Sequence, residues 1–239
     1  MSTLLLRLAA PWQSWGGSSR FTRRSTDTAP TKSGVIGLLA AAQGIRRTDP
    51  LEDLLSLRFG VRLDQPGRIE RDFQTARSLD GKKAFPLTTR FYLADAIFVA
   101  AVEGDDELIA NLDKALKQPM FPLYLGRRSC PPVWPLDLGI RSTCLWEALH
   151  DEPWQAALWW CCRQGPIVDV ELRVDAVCVT GDLPDRIDVT EHDAPISFNP
   201  LLRDYGSRLV VRTSMQMENP DSGLKGAYVH DPFALLGGA

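Results

Sequence analysis

The run Ser33-Gly34-Val35-Ile36-Gly37-Leu38-Leu39-Ala40-Ala41-Ala42 constrains the fold most, because as a helix it is apolar nearly all round and has no face to give to water. It has to be buried, with Gly34 and Gly37 permitting close packing. Thr31 is placed to cap its start and Gly44 to terminate it. Material for a core is available, since 44% of the 239 residues are hydrophobic and 24% charged. Global disorder is excluded, and no apolar run approaches the roughly 18 residues that a membrane span needs.

Patterns on either side of this helix set the topology. Residues 4–10 form a short apolar strand bearing only Arg7 and ending at Pro11. Residues 57–64 alternate with period two, which predicts a half-buried strand with Arg58 and Arg62 on its exposed face. From 65 to 90 the pattern breaks into a polar, basic insertion long enough to project as a hairpin, and apolar character returns at Phe91-Tyr92-Leu93 and Ala96-Ile97-Phe98-Val99. Residues 105–118 read as an amphipathic helix with acids in its first turn and Lys114 and Lys117 in its last, followed by an extended Phe121-Pro122-Leu123-Tyr124-Leu125. This β-α-β-β-α-β order is that of a ferredoxin-like or RRM-like sheet, so the expected class is α+β. The expected domain spans residues 1–130, and a smaller, irregular, β-containing C-terminal region spans 131–239. In that region 144–163 is Trp-rich and reads as helical, 168–174 and 208–213 as strands, and the tail from Glu218 as loosely ordered.

The net charge of −3 hides an asymmetry: residues 1–100 carry 15 Lys and Arg against 9 Asp and Glu, whereas 101–239 carry 12 against 21. A basic half on an acidic protein points to one face for a polyanion and another for something else. Three basic clusters fit the first role. Gln13, Trp15, Gly16, Gly17, Arg20, Arg23, Arg24 and Lys32 lie between a strand and a helix start, where glycines, free N–H groups and arginines suit phosphates; a solvated loop with its tryptophans in the core fits equally well. No P-loop is present, because G-x-x-x-x-G-K-[ST] is absent. Arg127 and Arg128 follow Gly126 and can grip RNA backbone, stack on a base, or pair with the acidic half. In the insertion, Arg68, Arg71, Arg77, Lys82, Lys83 and Arg90 surround Phe73, and a charge-blunted hairpin is the alternative there.

Catalytic patterns are thin. His150, His192 and His230 all fall in the second half, and neither H-E-x-x-H nor G-x-S-x-G occurs. The five cysteines are odd in number, include the adjacent Cys161 and Cys162, and form no C-x-x-C, which suits free thiols in a reducing compartment. The first residues lack the charged region and cleavage site of a signal peptide, so a cytoplasmic location is expected.

Four stretches carry a resemblance when taken together and in order. They are Arg7-Leu8-Ala9-Ala10-Pro11-Trp12-Gln13-Ser14-Trp15-Gly16; Pro30-Thr31-Lys32-Ser33-Gly34 with Gly37-Leu38-Leu39; Arg90-x-Tyr92-Leu93-x-Asp95-Ala96-x-Phe98; and Tyr124-Leu125-Gly126-Arg127-Arg128-Ser129-Cys130-Pro131. They closely resemble the CasD family, a subunit of the type I-E CRISPR surveillance complex Cascade. A weaker match, Asp193-x-Pro195 with Phe198, Arg203 and Arg208, reaches the second half. The resemblance implies a RAMP-type, ferredoxin-like domain with a β-hairpin thumb between its second and third strands, at about residues 65–90. It further implies a subunit in defence against foreign DNA that caps one end of Cascade and holds the 5′ handle of the CRISPR RNA. The thumb reaches over the guide toward the backbone subunit (CasC), the large subunit (CasA) is seated beside it, and target DNA is met only through the assembled complex. Carried onto this chain, the RNA-facing candidates are Gln13, Trp15, Arg20, Arg24, Lys32, Ser33, Gln74, Arg127 and Arg128; no metal or cofactor is implied.

At Asp72-Phe73-Gln74-Thr75 the family pattern carries His where this chain has Gln74. Related subunits of another subtype cut precursor RNA, chemistry in which the 2′-OH is the nucleophile and a base and an acid near neutral pH assist. Glutamine cannot titrate, and no histidine precedes residue 150. The expected function is therefore a non-catalytic RNA-binding scaffold. A metal-independent endoribonuclease using Tyr92 or Tyr124 with Lys32 is the alternative, and a protein-only adaptor the third.

Overall fold

The computed structural model describes residues 1–16 and 23–223. In strand β1 (Ser2–Ala9), Leu4, Leu6 and Leu8 enter one core and Leu5 another, and all four are fully buried. Alternate side chains of one strand can all be dry only if both faces of its sheet are covered. After β1 come β2 (Trp12–Gln13), β3 (Arg23–Arg24), α1 (Lys32–Gln43) and the short α2 (Glu52–Leu55). Strand β4 (Arg58–Gln65) leads into a hairpin of β5 (Arg68–Gln74) and β6 (Thr88–Ala94), and β7 (Ile97–Gly104) runs into α3 (Asp106–Lys117). The rest forms β8 (Asp137–Arg141), α4 (Leu145–Asp151), α5 (Leu158–Cys161), β9 (Ile167–Asp175), β10 (Ile187–Ser197) and β11 (Asp204–Glu218).

Seven strands make one sheet in the order β10-β11-β9-β4-β7-β1-β8, with every neighbouring pair antiparallel. Helices α1 and α3 pack on the face presenting Leu4, Leu6, Phe59, Phe98 and Val102. Helix α4 covers the opposite face with Leu145, Ala148 and Leu149 against Leu5, Val99, Ala101 and Val174. The two long helices follow their local signals. Thr31 accepts from the Gly34 N–H at 3.2 Å and Gly44 ends α1 at φ 82°, while the Asp105 carboxylate caps α3 through the Glu107 N–H at 3.0 Å.

Several expectations need correction. The strand that pairs with β1 on its outer side is β8, not residues 121–125, which make no strand. Arg62 is not exposed: it is fully buried, because α4 and the segment after it close over that face. Its guanidinium forks onto Asp64 at 2.7 and 2.9 Å and donates to the carbonyls of Leu149, Glu152 and Pro153. The second half is more regular than its sequence implies, since β9 hydrogen-bonds to β4 and carries the sheet across residue 130. Glu218 ends a strand, and buried Asn219 donates to the carbonyls of Cys161 and Gly165; residues 224–239, the rest of the tail expected to be loosely ordered, lie outside the described residues. The β10–β11 pairing breaks register twice, between Glu191 and Ala194 and between Pro195 and Ser197.

A second, smaller sheet is built on β6. Strand β5 runs antiparallel along one edge of it, while the other edge carries β3, parallel, and then β2, antiparallel. Phe91-Tyr92-Leu93 therefore belongs to this sheet rather than to the large one. The chain changes sheets at Asp95, which has φ 58°.

Candidate nucleic-acid interface

Cross-strand register decides which side chains of the small sheet meet. Arg24 sits opposite Arg90, and Trp12 opposite Ala94, so Arg24, Arg90, Tyr92 and Trp12 share one face. On it Trp12, 41% exposed, stacks on the ring of Tyr92 at 4.7 Å. The Arg127 guanidinium lies over the same Tyr92 ring, also at 4.7 Å. On the opposite face Arg23 covers Phe91 at 5.1 Å and Arg71 covers Phe73 at 4.8 Å.

Arg127 is held there by a tight turn. The Ser14 N–H donates to the Leu125 carbonyl at 3.1 Å, Leu125 N–H to Cys130 O at 2.7 Å, and Cys130 N–H to Arg127 O at 2.8 Å. Gly126 allows the turn to lie against residue 14: its φ is 87°, and no side chain fits between it and the Ser14 backbone. Arg127 then donates to the carbonyls of Phe91, Arg24 and Ser25 at 2.9, 3.2 and 3.3 Å, fastening the segment after β3 to β6. Arg128, next in the turn, is exposed.

Among the described residues, Arg23, Arg24, Arg90 and Arg128 make no ion pair with a carboxylate. The Nε of Arg90 is buried without an acceptor. Two arginines side by side on adjacent strands repel each other, and an anionic ligand offsets that cost.

The family model described as CRISPR-associated protein (Cas_Cas5) matches residues 3–211. The chain belongs to this family. A curated relative, the CRISPR system Cascade subunit CasD of Escherichia coli (strain K12), is 39% identical over 159 residues, spanning 58% of this chain and 70% of that protein. A solved chain of a CRISPR RNA-guided surveillance complex is similar with a TM-score of 0.74 and 32% identity, covering 92% of each chain. A crystal structure of a Cas protein gives a TM-score of 0.67 at 34% identity, covering 92% of this chain and 97% of that one.

In this Cas5-family chain the residues singled out by sequence fall into separate surroundings. Arg24, Arg127 and Arg128 come together at the small sheet. Gln74 stands further along the same hairpin, its amide donating to the Asp72 carboxylate at 3.1 Å. Gln13 and Trp15, expected to face RNA, are both fully buried, and the Trp15 indole N–H donates to the Gln13 side-chain oxygen at 3.0 Å. Arg20 lies outside the described residues.

Lys32 is engaged elsewhere. Its ammonium meets the Asp175 carboxylate at 3.0 Å with only 12% of the side chain exposed, and its backbone N–H donates to Asp193 at 2.7 Å. Arg208 binds the same Asp175 at 2.8 Å and Asp193 at 2.6 and 3.0 Å. Burial works against the Arg208 charge, but Asp193 and Asp175 outweigh it and hold the guanidinium pKa above its ordinary value. Ser33 lines a cleft of about 830 Å³ bounded by Asp27, Arg173, Glu191 and Arg203. The Tyr92 hydroxyl faces Ser129 Oγ at 3.5 Å, so Tyr92 and Lys32 engage different partners.

Sequence reasoning placed Arg90 with the basic residues of the insertion and missed Trp12 and Tyr92 as parts of this surface; Arg23, named in the first basic cluster, falls on the opposite face of the sheet. The available signal was period two in Arg90-x-Tyr92, but their alignment with Trp12 and Arg24 follows from cross-strand register.

Proposed function

We propose that the chain is the CasD-type subunit of a type I-E Cascade complex and acts as a non-catalytic scaffold for the 5′ handle of the CRISPR RNA. The observation that carries the reading is the pair Arg24 and Arg90, without carboxylate partners among the described residues, on the face of the small sheet that carries the exposed Trp12, with Arg128 exposed in the adjoining turn. Such a surface attracts a flexible polyanion through its phosphates and offers an aromatic face to an unstacked base. The strand order β8-β1-β7-β4, with α1 and α3 on one face, supports reading this part as a ferredoxin-like RAMP unit. The β5–β6 hairpin is then the thumb that crosses the guide toward CasC, with CasA seated nearby and target DNA met through the assembled complex.

A scaffold role is supported by what surrounds the RNA surface. Gln74 has no proton to exchange near neutral pH, and Lys32 is engaged by Asp175 rather than by a tyrosine. Incubating the purified chain with a labelled CRISPR repeat tests the reading. Intact, bound RNA is expected; a discrete cut would replace the scaffold with an endoribonuclease, and absence of RNA affinity would leave a protein-only adaptor.

A further inference from the structure

At the joint between the hairpin and the large sheet, two consecutive backbone carbonyls are each taken by the amide of a buried glutamine. The Gln65 side-chain N–H₂ donates to Asp95 O at 2.5 Å, and that of Gln13 donates to Ala96 O at 2.7 Å and Leu8 O at 3.2 Å. Gln13 is fully buried and Gln65 is 1% exposed. The oxygen of Gln65 accepts from the Ala157 N–H at 3.0 Å, which ties the joint to the segment between α4 and α5. From below, the Asp95 N–H donates to Pro11 O at 3.1 Å. The other connection is equally tight: a Cβ on Gly67 would stand 2.7 Å from Ala94 O.

We propose that Gln65 is a positioning residue that fixes the angle of the β5–β6 arm against the body, with Gln13 as the opposing stay. A buried amide costs free energy unless its donor and acceptor are both used, and an apolar residue of similar size fills the same space without that demand. Both ends of Gln65 are used, and they join the arm's joint to the C-terminal half. The lever makes the angle matter. Seven residues of β5 span about 23 Å at roughly 3.3 Å per residue, so a rotation of about 10° at the base moves the far end by roughly 4 Å. Displacement on that scale separates an arm that meets a partner from one that misses it.

The inference rests on the reading of the arm as the part that meets the guide and the adjoining subunit, but its test does not. Spin labels at Lys82 near the arm's turn and at Lys114 on α3, in a chain with Cys144 and Cys162 changed to Ser, report the arm-to-body distance in the isolated protein. Gln65→Met removes both hydrogen bonds and should make the distance distribution about twice as wide in a protein that still melts cooperatively, at a temperature lowered by the unpaired Ala157 N–H and Asp95 carbonyl. Ala157→Pro removes the N–H that Gln65 accepts and sets the ring Cδ where that hydrogen bond ran, and proline suits the φ of −68° there, so it should displace the Gln65 oxygen and broaden the distribution without a substitution in β4. A wild-type distribution in either folded variant overturns the proposal. So does collapse of the melt in both, since Gln65 would then be holding up the core. A widened arm that still assembles normally with the other Cascade subunits leaves Gln65 as the positioning residue and refutes the arm's partner role instead.

Discussion

A Cβ on Gly126 would lie 1.5 Å from the carbonyl oxygen of Ser14. No rotation of a side chain relieves a clash with backbone, and the positive φ adds strain for any other residue. Gly126→Ala should therefore destabilise the protein by roughly 2–4 kcal/mol and release the turn that carries Arg127 and Arg128. Denaturant unfolding and RNA titration should show both losses together.

The two adjacent arginines should behave differently. Arg127 fastens three backbone carbonyls, so Arg127→Ala should lower both the melting temperature and RNA affinity. Arg128→Ala should leave the melt unchanged and reduce the slope of log affinity against log salt by about 0.7. The exposed pair Arg46 and Arg47 is the control: changing both to Ala should affect RNA binding much less than Arg128→Ala.

Lys32→Met should act on stability rather than on RNA. The ammonium is one of two cations on Asp175, which keeps Arg208 in its absence, so removing it from this largely buried network should cost about 1–3 kcal/mol. Thermal melts should fall while the salt slope of RNA binding keeps its wild-type value. A changed slope with an unchanged melt would return Lys32 to the RNA surface.

Asp185 supplies a pH test. Hydrogen bonds from the hydroxyls of Ser214 and Thr213 and from the Ser214 N–H hold its carboxyl down at about 2, below its ordinary 3.8. A lowered folded-state pKa contributes stability that is complete above the unfolded value and is lost as pH falls toward the folded one. The difference in melting temperature between wild type and Asp185→Ala should be constant from neutrality to about pH 5 and shrink between pH 3.8 and about 2.

Replacing residues 68–85 with a short Gly/Ser linker should leave the fold intact, since none of them is buried. The melt of the isolated variant should remain cooperative. Pull-down through a tagged backbone subunit should show that the variant fails to enter a complete complex.

Local chemistry made α1 and α3 legible: at 31–44 an all-apolar run lies between the caps Thr31 and Gly44, and at 105–118 period, cap and end charges agree. The hairpin was legible as a loss of apolar pattern. What escaped depends on partners distant in sequence. Arg62 alternates like an exposed residue, and only α4 and the carbonyls of 149–153 bury it. Strand β10 has an acidic sequence with little apolar alternation, and its place comes from pairing with β11. Gln13 and Trp15 look like ligand-binding residues in a glycine-rich loop, yet they are drawn inward by each other and by the joint at Ala96.

Strands β9, β11 and β10 extend the large sheet and leave β10 at its margin, an eleven-residue strand with one neighbour among the described residues. Such a margin is a template for indiscriminate stacking of one molecule on the next. Here the two register breaks bend it and Pro195 offers no N–H. A subunit that must coexist with many copies of itself before joining an assembly thus keeps this margin unfit for self-association. Recognition on that side then falls to side chains rather than to a borrowed strand.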